Sequence, residues 1–492
     1  MQMIADEDVQ RRVRLENPWW ESPHKTSTLY QSWKPRAYLD VFLPLIRETS
    51  VRRAIVLMGP RRVGKTVMIH HAIQTLLNDG IPPKSICYLS VDNPIYNTLT
   101  LEKFLFSYAQ AAEIDLEKDQ LYVFFDEIQY MKNWETHLKS LVDTRANIKA
   151  VVSGSAAAAL KLKSDESGAG RFTDILLPPL TFYEYLELLN EGDIVTKPNF
   201  QTNDIKSLNE KFIYYLNFGG YPEVIFSPQI QSDPARFIKS DIIDKVLLRD
   251  LPSLYGISDI QELNYLFTTL AFNTANEVSL EELSKNSGVA KNTIKKYIEY
   301  LQAAFLIQVI HRVDRSSKRF RRANYFKVYL TNPSMRAALF SPVKEDDTSL
   351  PHLAETAIFS QWFHGNVTLH YARWKDGEVD MVMLNREDQK PLWALEVKWS
   401  DRYCEKPGEL VSILDYCSEN TLPYAMVTSK TMSMSCKVKD VELNFIPASI
   451  YCYMVGYNLI RYKTHPMKPG NNQLSDEVET PAKTTPDIEP VS

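Results

Sequence analysis

The residues with the most evident chemistry are Gly59-Pro60-Arg61-Arg62-Val63-Gly64-Lys65-Thr66. Their spacing, G-x-x-x-x-G-K-T, is that of a phosphate-binding P-loop. Gly59 and Gly64 permit a tight backbone path, so that exposed N–H groups and a helix N-terminus can cradle phosphate oxygens. Lys65 would reach the β- and γ-phosphates of ATP, and the Thr66 hydroxyl would hold Mg²⁺. A second set is Asp126-Glu127, at the end of the apolar run Leu121–Phe125. Asp126 would hold Mg²⁺, and Glu127 would orient and deprotonate the attacking water. Ser153, in Val151-Val152-Ser153-Gly154-Ser155, could touch the γ-phosphate or that water, or simply belong to a Ser-Gly turn. Arg171 closes the polar, Gly-rich stretch 164–171. It could serve as an arginine finger, in cis or on a neighbouring subunit, or pair with Asp174.

A further constellation lies late in the chain. Glu355 falls in the apolar helical run Leu353–Phe359, Asp380 in the strand 378–383, and Glu396 and Lys398 in the strand Leu392–Trp399. Glu396 and Lys398 are two apart and would share a strand face. Three carboxylates (Glu355, Asp380, Glu396) would offer hard oxygen ligands to Mg²⁺, and Lys398 would steady a metal-bound hydroxide or a phosphate.

These groups need elements to position them. Ala54–Met58 is strand-like, and Val67–Leu77 carries apolar residues at helical spacing, so the loop joins a strand to a helix. Further strands are predicted at Ser85–Ser90, Tyr122–Asp126 and Lys149–Ser153, separated by helices, which is the pattern of a parallel α/β sheet. Residues 1–50 form an N-terminal segment whose Trp19-Trp20 pair suits core packing first and partner contact second. Residues 51–190 form the nucleotide-binding core, and 191–270 a helical lid containing Arg249, a phosphate sensor or a solvated charge. Residues 271–332 suggest a winged helix, with Asn292–Leu301 in the recognition position. Its wing, with Lys318, Arg319, Arg321 and Arg322, is the best nucleic-acid patch in the chain, with a solvated hairpin tip as the bland alternative. Residues 333–463 carry the late carboxylates, and 464–492 read as a disordered tail.

The bulk numbers bound the rest. A chain of 492 residues is too long for one core and suggests about three domains. A net charge of −5 offers no global attraction to nucleic acid, so any such binding must be local. Five cysteines without CxxC spacing suggest neither a disulfide framework nor a zinc site, and reduced thiols in a cytoplasm are expected. No run approaches a membrane span, and the charged N-terminus is not a signal peptide.

Taken together, the motifs resemble those of the AAA-superfamily ATPases of bacteria and archaea that carry a C-terminal domain of unknown function. The matches are G-P-R-R-V-G-K-T at 59–66, F-D-E-I-Q at 125–129, S-G-S at 153–155, G-A-G-R at 168–171, F-G-G-Y-P-E at 218–223, and the V-D…E-V-K pairing at 379–398. They cover nearly the whole chain ahead of the tail. Ser153 stands where the family usually has Thr, which keeps the hydroxyl. The resemblance implies an α/β fold: an AAA-type P-loop parallel sheet, a helical lid, a winged helix and a restriction-endonuclease-like C-terminal domain. It also implies ATP and Mg²⁺ at the residues named. Three readings follow: an ATP-driven switch on DNA, the same with metal-dependent cleavage, or a binding module in which ATP only changes shape. A homo-oligomer is compatible with all three.

Overall fold

The apolar pentad Ala54–Met58 forms β1, the strand that delivers the phosphate loop. Around it lie β2 (Ile86–Ser90), β3 (Leu121–Asp126), β4 (Ile148–Gly154) and β5 (Phe172–Leu176). All pairings are parallel, in the order β2-β3-β4-β1-β5. Strands buried on both faces read as continuous apolar runs, which is why β1 to β4 stand where the sequence predicts them. The short β5 escaped that reading because it is only half buried and lacks a continuous apolar run. The structure is a computed structural model and describes residues 6–22, 30, 32–96, 99–155, 170–196, 201–319, 324–365 and 367–464. Most of the Gly-rich stretch before Arg171, Arg321 and Arg322 of the wing, and the tail from 465 lie outside the described residues.

The sheet order has one consequence for the site. β4 lies between the strand of the P-loop and the strand of the paired acids, with Leu57 opposite Ser153 and Phe125 opposite Val152. The hydroxyl of Ser153 is therefore delivered between the two motifs. The N-terminal segment seals the outer edge at β2. The Asn17 amide accepts from Tyr88 N–H at 2.6 Å and donates to Tyr88 C=O at 2.9 Å. Both indoles, of Trp19 and Trp20, donate to Ile86 C=O. Side chains thus satisfy edge groups that an unpaired strand would leave open. Trp19 is fully buried, in keeping with the packing role first given to it.

Two compact units divide the chain, residues 1–178 and 179–492. In the second, the stretch expected as a winged helix runs β6 (Glu277–Ser279), the helices Leu280–Ser287 and Lys291–Ala303, β7 (Ile307–Val313) and β8 (Tyr325–Leu330). Its strands do not form a separate sheet. β7 pairs in parallel with β9 (Leu369–Trp374), which continues through β10 (Gly377–Leu384), β11 (Pro391–Glu396), β12 (Tyr424–Ser429), β14 (Val441–Pro447) and β13 (Met434–Val438). The result is one nine-stranded sheet, β13-β14-β12-β11-β10-β9-β7-β8-β6. The helical stretch expected as a lid shares its core with this sheet: Phe212 of the helix Thr202–Phe218 stacks on Trp399 at 5.5 Å. No helix among the described residues is long and apolar enough to cross a membrane.

Candidate nucleotide site and a carboxylate cluster

The loop after β1 turns through two left-handed positions, Arg62 (φ 65°) and Gly64 (φ 94°). The helix Lys65–Asn78 begins at Gly64 with no side-chain cap, so its first N–H groups are left for a ligand. Lys65 is buried and folds back onto the loop, donating to Gly59 C=O at 3.0 Å and Pro60 C=O at 2.8 Å. Burial pulls its ammonium below the usual lysine range, against the pull of Glu127 and Asp126. From the N-terminal segment, Arg36 braces the loop by donating to Val63 C=O at 3.0 Å and Pro178 C=O at 2.8 Å.

Three hydroxyls converge on Asp126. Thr66 donates to Oδ2 at 2.6 Å, Tyr88 donates to the same oxygen at 2.9 Å, and Ser153 donates to Oδ1. Ser153 Oγ also accepts from Glu127 N–H at 3.2 Å. Glu127 itself adopts a left-handed conformation (φ 57°), a strained geometry for a non-glycine residue. That turn carries it out of the strand, and Gln129 donates to its carboxylate. Burial raises its pKa, while Lys65 opposes the rise. Hydroxyl and carboxylate oxygens side by side at Thr66 and Asp126 are the hard donors Mg²⁺ takes. The uncapped helix start beside Lys65 suits phosphate. The residues present fit Mg²⁺-nucleotide.

Sequence reading missed Tyr88, Arg36 and His70. His70, on the helix Lys65–Asn78, lies between Trp19, Tyr30 and Tyr88, its Nδ1 without a hydrogen-bond partner. Burial lowers its pKa to about 4. A group depressed in the folded state contributes stability above its unfolded value of about 6.5, and that contribution is lost as pH falls through 4. By pH 4.5 the first unit should lose about 2–3 kcal/mol through this residue. Hydrogen exchange on peptides of β1 to β4, compared between wild type and His70→Gln, should show a shallower acid slope in the variant. Equal slopes would remove His70 as the cause.

Arg171 is placed elsewhere. Its carbonyl accepts from Ala54 N–H at 3.0 Å, at the start of β1, while the P-loop leaves the other end. About 13 Å of strand lies between. Its guanidinium pairs with Asp143 at 2.7 Å, not with Asp174. A finger acting in cis is therefore closed by position.

In the second unit the late carboxylates do converge, though not as a metal centre. A β-bulge between Val379 and Val382 interrupts the β9–β10 register at Asp380. The ammonium of Lys327, from β8, lies 3.0 Å from Glu355 Oε1, 2.7 Å from Glu378 Oε1 and 3.3 Å from Asp380 Oδ1. Lys327 is only 2 % exposed. Tyr329, two residues on, donates to Glu355 Oε1 at 2.5 Å. Asp380 Oδ2 accepts from Val397 N–H at 2.8 Å, and Lys398 donates to Glu396 Oε1 at 2.6 Å. Burial opposes the charge on Lys327, but Glu355, Tyr329 and Asp380 outweigh it and raise its pKa. Burial, then Asp380, raises Glu355 to about 7, and the same two causes raise Glu396. Among the described residues no group of three or more acids, histidines or cysteines is set to hold a metal. The expected Mg²⁺ ligands Glu355, Asp380 and Glu396 thus do not fit the ion: a lysine ammonium stands between the first two, and the third is held by Lys398.

The fold and the first site define an AAA-type P-loop domain: residues 51–186 match the family model described as AAA domain, and residues 209–347 match one described as Domain of unknown function (DUF8612). Among curated relatives, the chain is similar to uncharacterized protein MJ1544 of Methanocaldococcus jannaschii, with 25% identity over 68% of this chain and 73% of the relative. It is also similar to an uncharacterized protein of Haemophilus influenzae, with 22% identity over 66% of this chain and 78% of the relative. Among solved structures, the Aeropyrum pernix ORC1 protein in complex with DNA aligns at 12% identity and TM-score 0.30, over 65% of this chain and 95% of that one.

Proposed function

We propose that the chain is an ATP-hydrolysing switch whose second unit contacts nucleic acid without cutting it. The observation that carries the first half is the convergence of Thr66, Tyr88 and Ser153 on Asp126, with Glu127 beside them and Lys65 on the loop. When bound, Mg²⁺-ATP supplies the phosphoryl group and a metal that draws charge from its oxygens. Lys65 exchanges its two loop carbonyls for phosphate oxygens. Thr66 and Asp126 hold the ion, and Tyr88 and Ser153 fix the orientation of the Asp126 carboxylate. Glu127, its basicity raised by burial, takes the proton of the attacking water. Phosphate release from ATP by the purified full chain, with Lys65→Ala as blank, tests this. Turnover equal in both would reject it.

The nucleic-acid half rests on two pairs of exposed cations: Lys295 and Lys296 on the helix Lys291–Ala303, and Lys318 and Arg319 beyond β7. The turn beneath these last two is docked: Ser317 is buried against Tyr416 and Asn420, at 2.5 and 2.9 Å. The hairpin base is thus held in place and presents the cations outward. Duplex DNA affinity should fall with salt, and changing Lys295, Lys296 and Arg319 together to Ala should lower the log–log slope by about 2–3. An unchanged slope would remove this patch. A finger role for Arg171 falls to a second copy of the chain, and unchanged turnover in Arg171→Ala would leave it with the Asp143 ion pair. The reading is of a cytoplasmic protein, in keeping with five free cysteines.

A further inference from the structure

The carboxylates that the sequence assigns to a metal are spread over three elements: Glu355 on the helix Leu350–Trp362, Asp380 on β10 and Glu396 at the end of β11. A fourth element reaches them. β8 pairs with β6 and β7, and its Lys327 side chain projects into the cluster. We propose that Lys327 is the resident cation of this cluster, filling the place between Glu355 and Asp380 that a divalent ion would need and clasping β8 to the helix and to β10.

Three observations support the clasp. Lys327 makes close ion pairs with three carboxylates from two elements, and its ammonium lies 5.6 Å from the centre of the Tyr371 ring. A buried ammonium with that number of acidic partners is satisfied and cannot leave without stranding their charge. Its neighbour on the same strand face, Tyr329, is tied to the same Glu355. The network also extends along the sheet: Glu277 of β6 accepts from Tyr371 at 2.7 Å, and Arg373 pairs with both Glu277 and Glu378. By contrast, Oε2 of Glu396, a residue only 8 % exposed, has no hydrogen-bond partner. The cluster therefore keeps a spare buried acceptor, yet its central position is taken. A divalent ion entering there would meet the full charge of the lysine at contact distance.

The inference concerns the cluster alone, and nucleic-acid binding can fail without touching it. The test is Mn²⁺ titration of the nucleotide-free full chain, read by electron paramagnetic resonance, for wild type, Asp380→Asn, Lys327→Met and the double variant. Wild type and Asp380→Asn should take up Mn²⁺ alike. Lys327→Met should gain a site on the order of 100-fold tighter than any in wild type, from relief of repulsion, and the double variant should lose it. Uptake by wild type that disappears in Asp380→Asn would overturn the proposal. So would a folded Lys327→Met that gains nothing. If Lys327→Met does not fold, the comparison of wild type with Asp380→Asn still decides: equal uptake supports the clasp, and loss of uptake refutes it.

Discussion

Glu127→Gln should bind ATP with near wild-type affinity and hydrolyse it about 10²–10⁴ times more slowly. The substitution keeps shape and volume. It leaves the bond from Glu127 N–H to Ser153 Oγ intact, since that bond comes from the backbone. What it removes is the one carboxylate beside Asp126 that is not already engaged by the converging hydroxyls. Glu127 is held out of the strand by its left-handed turn, and burial raises its proton affinity, both of which suit a base. Lys65→Ala should fail one step earlier, losing affinity, because the cation that would turn from Gly59 and Pro60 to the phosphates is gone. Equilibrium binding of a fluorescent ATP analogue and single-turnover phosphate release separate the two. Normal turnover in Glu127→Gln would end its assignment as the base.

Gly59→Ala should both unseat the loop and weaken the first unit. A Cβ built on Gly59 would lie 2.2 Å from the carbonyl oxygen of Leu177. That oxygen cannot yield easily, because Leu177 N–H is fixed to Met58 C=O at 2.7 Å. Here the glycine is required by close approach of another backbone stretch and not by an unusual φ. We expect about 1–3 kcal/mol of destabilisation, with nucleotide affinity reduced at least about tenfold as the loop shifts. Gly408→Ala, where a Cβ meets nothing within 4 Å, is the matched control and should be neutral. Chemical denaturation and nucleotide titration of both variants check this. Unchanged affinity in Gly59→Ala would mean that the loop tolerates the shift.

The parts of this structure that could be read from sequence are those whose signal is local. The P-loop announces itself within eight residues, and β1 to β4 are apolar runs bounded by turn residues. Asp126 and Ser153 fall at strand ends, so sequence fixes their level in the sheet. The groups that were missed act across the chain. Tyr88 meets Asp126 38 residues away, and Arg36 reaches Val63 and Pro178. Each looks like an ordinary buried aromatic or surface cation until the fold brings its partner. Lys327 did leave a trace: it is a lone charge between Phe326 and Val328 in an apolar strand. Such a residue needs an opposite charge if buried. Sequence could not say that its partners would include Glu355 and Asp380, two of the carboxylates expected to hold a metal.

The parallel pairing of β7 with β9 also bears on how the polypeptide is made. His311 meets His370, a separation of 59 residues (370 − 311). During synthesis β7 leaves the ribosome able to pair with β8 on one side and with nothing on the other. Its open side stays exposed until β9 has emerged, a delay of several seconds at usual elongation rates of roughly 5–20 residues per second. Exposed strand edges of this kind recruit wrong partners. Nascent chains whose emerged part ends between residues 330 and 374 should therefore be the most aggregation-prone, and the ones most dependent on chaperones.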